Sequence, residues 1–126
     1  MARELSVLDL TFKAEQTFAS GQFYFCELSA ADQVDICDST ADLPLGVIQN
    51  KPAAGQAADI RIHGVTKIVA DGTVTAVGNY VGTGNTGKGV KKTADKAIIR
   101  GIALSASSVD GVIIDILLVG PFTLSV

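Results

Sequence analysis

The chain has 126 residues, of which 48% are apolar and 18% charged, and thirteen Asp and Glu against ten Lys and Arg leave a net charge of −3. That is one domain's worth of chain without an overall basic face, which argues against nucleic-acid binding. No apolar core follows Met1-Ala2-Arg3-Glu4 and no run reaches membrane-spanning length, so a soluble product made in the cytoplasm, with no membrane contact, is expected.

Thirteen Gly, only three Pro and many Val, Ile, Thr and Ala favour an all-β domain of short strands and tight turns. A mean hydropathy of +0.38 is high for so small a soluble protein, and it implies that part of the surface is hidden against a partner. In chain order, Leu5 to Lys13 alternates, with Leu8, Leu10 and Phe12 on one side and Val7, Asp9, Thr11 and Lys13 on the other. It reads as an edge strand or extended arm, and with the connector Ala14 to Gly21 it sets residues 1–21 apart from a main domain at 22–126. Gln22 to Leu28 is an aromatic strand apolar on both faces. Five of the seven aromatics fall between Phe12 and Phe25, which marks the main core plug. Cys26 and Cys37 read as two buried thiols, with a disulfide as the alternative. The lone His63 cannot complete a zinc set with only two cysteines, and it falls on a polar face as a rim residue.

Ser29 to Gln33 is turn-like, Val34 to Cys37 a short strand, and Asp38-Ser39-Thr40-Ala41-Asp42 a loop of residues that bond their own backbone. A strand-turn-strand unit then occurs twice. Leu45-Gly46-Val47-Ile48 precedes the return strand Gly55-Gln56-Ala57-Ala58-Asp59-Ile60-Arg61-Ile62-His63-Gly64. Arg100-Gly101-Ile102-Ala103 precedes Gly111-Val112-Ile113-Ile114-Asp115-Ile116-Leu117-Leu118-Val119-Gly120. In the first copy Ala58, Ile60 and Ile62 oppose Asp59, Arg61 and His63, as in a strand with one wet face, and Gly64 is a bend. In the second, Ile114, Ile116 and Leu118 oppose Ile113, Leu117 and Val119, so both faces need cover, the outer one from the N-terminal segment or another subunit. The paired Asp59 and Asp115 are read as solvent-facing or turn-anchoring rather than catalytic.

Between the copies, Gly82-Thr83-Gly84-Asn85-Thr86-Gly87-Lys88-Gly89 matches three of the four fixed places of a phosphate-binding loop. Gly89 replaces the metal-holding hydroxyl, and a strand rather than a helix follows, so a mobile glycine-rich hairpin tip is expected. Lys88, Lys91, Lys92 and Lys96 around it lack interleaved aromatics for base stacking and read as a solvated cluster. No nucleophile stands near a base, and neither an enzyme nor a cofactor or metal site is expected. The tail Pro121 to Val126 carries Phe122, Leu124 and Val126, again suited to docking.

The order Leu45-Gly46-Val47-Ile48-Gln49-Asn50, Pro52-Ala53-Ala54-Gly55-Gln56-Ala57-Ala58 and Ile60-Arg61-Ile62-His63-Gly64-Val65-Thr66-Lys67 resembles the capsid decoration (cement) proteins of tailed bacteriophages. The resemblance runs on through Gly78-Asn79-Tyr80-Val81 and Arg100-Gly101-Ile102-Ala103-Leu104, and spans roughly Gln22 to Val119. It implies a small β-barrel-like domain that trimerises on the outside of the head, at or near three-fold positions, and clamps neighbouring major capsid subunits after expansion. The major capsid protein is then the partner, with no direct contact to nucleic acid. Leu8, Leu10, Phe12, Phe23, Phe25, Ile113, Leu117, Val119 and Phe122 are the expected inter-subunit or shell contacts. A β-rich module displaying its glycine-rich loop, with Tyr80 or Asn85, to a glycan or host surface is the alternative.

Overall fold

The computed structural model describes residues 7–18 and 21–126, and among these residues there are strands and turns but no helix. The strands are β1 (Leu8–Ala14), β2 (Phe25–Ala30), β3 (Gln33–Ile36), β4 (Gly46–Ile48), β5 (Ala57–Val69), β6 (Tyr80–Thr83), β7 (Gly89–Lys91), β8 (Ile98–Ala103) and β9 (Ile113–Thr123). Five of them close into a small barrel, in the order β1-β3-β2-β4-β5 with β5 pairing back onto β1. The antiparallel β1–β5 seam sets Leu10 opposite Ile60 and Phe12 opposite Ala58, and β1 runs parallel to β3 through Lys13 and Ala14. The all-β, barrel-like expectation holds.

A second sheet, β5-β9-β8-β6-β7, grows from the same long strand. The first half of β5 pairs with β1 and β4 in the barrel, and from Gly64 to Val69 it pairs with β9. Gly64 sits at the switch with φ 102°, a conformation that costs glycine little and other residues much more. The expected bend is thus the hinge line between the two sheets.

Two apolar cores follow, separated by one wall. Ala14, Phe18, Cys26, Val34, Ile48, Ala58 and Ile60 fill the barrel. Phe25, Cys37 and Val47 point outward from the same staves onto Ile68, Val81, Ile114, Ile116 and Leu118 of the second sheet. Strand alternation does this: Phe25 and Cys26, like Val47 and Ile48, are neighbours that face opposite cores. A β2 that is apolar on both faces needs no partner molecule, because it lies between two cores. Each fully buried Phe, Ile or Leu here contributes roughly 1.5–3 kcal/mol.

Three expectations change. Residues 1–21 were expected as an arm and connector, with Leu5 to Lys13 an edge strand or extended arm; Leu8–Ala14 is a barrel stave that pairs with β5 along its length and with β3 only at Lys13 and Ala14, so Leu8 to Phe12 form an edge. The stretch 1–6, including Leu5, lies outside the described residues. The second return strand, β9, is dry on one face only: Ile114, Ile116 and Leu118 are buried while Ile113 is 47% exposed and Leu117 and Val119 are half-buried. The described part of the N-terminal segment does not cover that face, since β1 pairs with the barrel half of β5 instead.

Candidate functional site

Of the residues expected to make contacts, Phe25 is 0% exposed, buried by the second sheet against its ring, and offers no contact surface. Phe12 is partly buried against the barrel core and Phe23 against the other core. Phe23 holds φ 67° because its N–H donates to the Ile48 carbonyl at 2.8 Å and its carbonyl accepts from Val69 N–H at 2.9 Å. Leu8 and Leu10 remain exposed at the barrel rim.

Ile113, Leu117, Val119 and Phe122 fall on or beside the outer face of the second sheet. Register places Val65 opposite Leu117, Leu117 opposite Ile102, and Ile102 opposite Tyr80, so one apolar row crosses β5, β9, β8 and β6. Tyr80 and Phe122, each about two-fifths exposed, pack edge to face with ring centroids 5.6 Å apart at its margin. Lys67 and Asp115, exposed cross-strand partners, put charge on the same face. Asp59 lies in the other sheet and accepts from the Thr11 hydroxyl at 3.2 Å, so the paired aspartates do not meet. His63 is exposed, as its alternation implies.

The feature that alternation does not reveal is Arg100. The pairing of β8 with β9 shifts between Ile99 and Gly101, a bulge that turns the Arg100 side chain inward, and it is only 3% exposed. Its Nε donates to the Pro44 carbonyl at 3.3 Å, Nη1 to Val119 at 3.1 Å, and Nη2 to Leu45 at 3.0 Å and Ile62 at 2.6 Å. No carboxylate is within ion-pair distance among the described residues. Arg100 and Leu45 hold the same place in the two copies of the repeated unit, so the duplication brings its two equivalents into contact. Beside them a cavity of about 370 Å³ opens between barrel mouth and second sheet, lined by Glu27, Leu28, Leu43, Pro44, Leu45, Ile62, Arg100, Gly120 and Pro121.

Glu27, on its wall, joins Cys37 and Asp42 in a group whose ligand atoms lie within 4.8 Å of one another. Asp42 already accepts from the N–H groups of Asp38 at 2.9 Å and Ser39 at 3.0 Å, and burial pushes the Cys37 thiol up to about 12. A metal would have to deprotonate that thiol and separate the hydrogen-bonded Glu27 and Asp42 carboxyls, so the group fits a carboxyl pair better. Desolvation, then the charge of Asp42, raises Glu27 from 4.5 to about 7. The protonated carboxyl is favoured by folding, so its stabilisation is complete below about 4.5 and is lost as pH rises through about 7. Thermal melts are therefore expected to show Tm falling by a few degrees from pH 5 to pH 8, with Glu27→Gln flattening that slope; an equal slope in the variant contradicts the assignment. Cys26 and Cys37 are free and buried, in different cores.

The glycine-rich stretch forms the β6–β7 hairpin, and all but its outermost residues, Asn85 and Thr86, are packed rather than loose: Gly82, Thr83, Gly84, Gly87 and Gly89 are buried, and Phe25 N–H donates to the Gly87 carbonyl at 2.8 Å. Chain packed against Gly87 leaves no room even for a Cβ, with Ile36 Cγ2 2.6 Å from where one would sit. No helix follows to cradle phosphate. Lys88 pairs with Asp110 at 3.0 Å; Lys91 and Lys96 are exposed.

A sequence model of the family described as phage cement protein matches residues 2–118. The search of curated proteins returns no match. Among solved structures, the head fiber gp8.5 N base in bacteriophage phi29 has a similar fold, at TM-score 0.62 and 13% identity over 90% of this chain and 95% of that one.

Proposed function

The chain belongs to the phage cement protein family, and from that premise we propose that it binds the outer surface of a phage head as a homotrimer and stabilises contacts between major capsid subunits. Its role on this reading is structural, without catalysis, in the virion rather than free in the host cytoplasm where it is made. The observation that carries the reading is the apolar row Val65, Leu117, Ile102 and Tyr80, flanked by Ile113, Val119 and Phe122, on a sheet face that the described residues leave open. Self-association is the economical cover for such a face in a small domain. A trimer also presents each shell contact three times, and linked weak contacts gain avidity.

The test is the mass in solution. Light scattering at micromolar concentration is expected to give three times the chain mass of 13.0 kDa, and Leu117→Glu, at the centre of the row, is expected to give monomers with an unchanged circular dichroism spectrum. A wild-type monomer, or a Leu117→Glu trimer, contradicts the proposal.

A further inference from the structure

The open flank of β1 offers backbone rather than side chains. From Asp9 to Lys13 the register with β5 is regular, so the backbone groups of successive residues point to opposite sides. Ala14 bonds on the β5 side, its N–H to the Gln56 carbonyl and its carbonyl to the Gly55 N–H, whereas Lys13 N–H donates to the Asp32 carbonyl on the β3 side. Asp9 and Thr11 share the parity of Lys13, so their N–H and C=O groups also face away from β5. Because β3 reaches only Lys13 and Ala14, these groups have no hydrogen-bond partner among the described residues. Their own side chains do not shield them. Thr11 Oγ1 donates to Asp59 at 3.2 Å, and Asp9 accepts two bonds from Arg61 at 2.8 and 3.1 Å, so both reach back over β5. No proline blunts the strand, the register shift falls at its end between Leu8 and Asp9, and Leu8 and Leu10 are 49% and 43% exposed beside the edge. The other end of the sheet order, β7, is closed: Asp71 N–H donates to the Gly89 carbonyl at 3.1 Å and Lys91 N–H to the Thr73 hydroxyl at 2.9 Å.

We infer that this edge takes an extended segment of the capsid subunit as an added strand, whose alternate apolar side chains cover Leu8 and Leu10. The inference rests on the cement reading and deepens it by naming the contact. Charge does not select the occupant, since Asp9 with Arg61, Lys13 and Asp59 put both signs near the edge; backbone pairing and the apolar flank do. A second copy fits the edge poorly. Joining β1 to β1 relates two chains by a two-fold axis and gives pairs rather than a three-fold assembly, and the closed β7 offers no free edge for a head-to-tail join. The free groups lie on the flank of β1 turned away from β5, whereas the row at which copies are proposed to meet starts on β5 at Val65.

Amide hydrogen exchange tests it without any variant. In the free protein the Asp9 and Thr11 amides are expected to exchange as unbonded groups, while those of Leu10 and Phe12, paired with β5, exchange slowly. On expanded capsids lacking the protein, the Asp9 and Thr11 amides are expected to slow at least about tenfold. Two variants add a binding readout in capsid sedimentation. Thr11→Pro removes one outward N–H and spares the β5 ladder, and Leu8→Lys sets a charge against the apolar side of the added strand. Each is expected to keep the wild-type mass and to bind capsids at least about tenfold more weakly. Capsid-bound protein whose Asp9 and Thr11 amides stay fast overturns the added strand, as do folded variants that bind like wild type. Slow amides in the capsid-free protein place another copy on the edge and overturn the capsid as its occupant. Wild-type protein that ignores the capsids overturns the cement reading itself, a result distinct from capsid binding with a fast-exchanging edge.

Discussion

Replacing Arg100 with alanine is expected to cost roughly 3–5 kcal/mol of folding stability, read as a lower urea midpoint. Four carbonyls from three separate pieces of chain converge on this one side chain: Pro44 and Leu45 from the entry to β4, Ile62 from β5 and Val119 from β9. Removing the guanidinium takes away these four donors and opens a void at the junction of the two sheets, and each buried acceptor left unpaired costs on the order of 1–3 kcal/mol. Against a total of roughly 5–15 kcal/mol for a domain, that is a large share. Arg100→Met separates bonding from bulk. If the donors hold the junction, methionine restores little; a midpoint near wild type in Arg100→Met would show that shape alone matters, and would contradict the clamp.

The second large effect is expected at Gly46, and its counterpart in the repeat supplies the control. A Cβ at Gly46 would fall onto the Arg61 carbonyl oxygen and within 2.9 Å of Ile60 Cγ2, so β4 and β5 would have to separate where they close the barrel. Gly46→Ala is expected to lose roughly 2–4 kcal/mol, the upper range for overpacking against backbone that cannot turn aside. At Gly101 a Cβ would meet Ile116 Cδ1 at 3.0 Å and the Leu117 carbonyl at 3.3 Å. The first neighbour is the end of a flexible side chain and the second is merely close, so Gly101→Ala is expected to lose about 1 kcal/mol or less. Equal losses at the two glycines in parallel urea titrations would show that the duplicated units are packed alike, contrary to this account.

Much of the fold is legible from local pattern. The period-two alternation of β5 assigns its buried face, Gly64 marks the bend, and the repeated unit corresponds to the β4–β5 and β8–β9 hairpins, whereas β9, apolar on both faces, does not show from pattern alone which face is buried. Long-range closure is not local. Nothing in Leu8 to Ala14 distinguishes a free arm from a stave, because an alternating strand satisfies either until its two neighbours are known. Phe25 misleads for a related reason: an apolar residue on the outside of a barrel strand signals a contact surface unless a second sheet folds over it, and only the course of β5 past Gly64 brings that sheet there. Gly82 to Gly89 reads as a loose tip because glycine permits both mobility and close approach, and the Phe25–Gly87 hydrogen bond settles it as close approach. Arg100 is hidden most completely. Its bulge breaks the alternation by which buried positions are recognised, and the only sequence trace is a charged residue standing where the first copy of the repeat has Leu45.

The proposed function places the chain on the outside of a phage head. Expanded capsids lacking the protein, mixed with the purified chain and imaged by electron microscopy, test it most directly. Saturable new density on the outer surface, at or near three-fold positions and of trimer size, is the predicted result. Capsids that stay bare, or density confined to the inner surface, would contradict it.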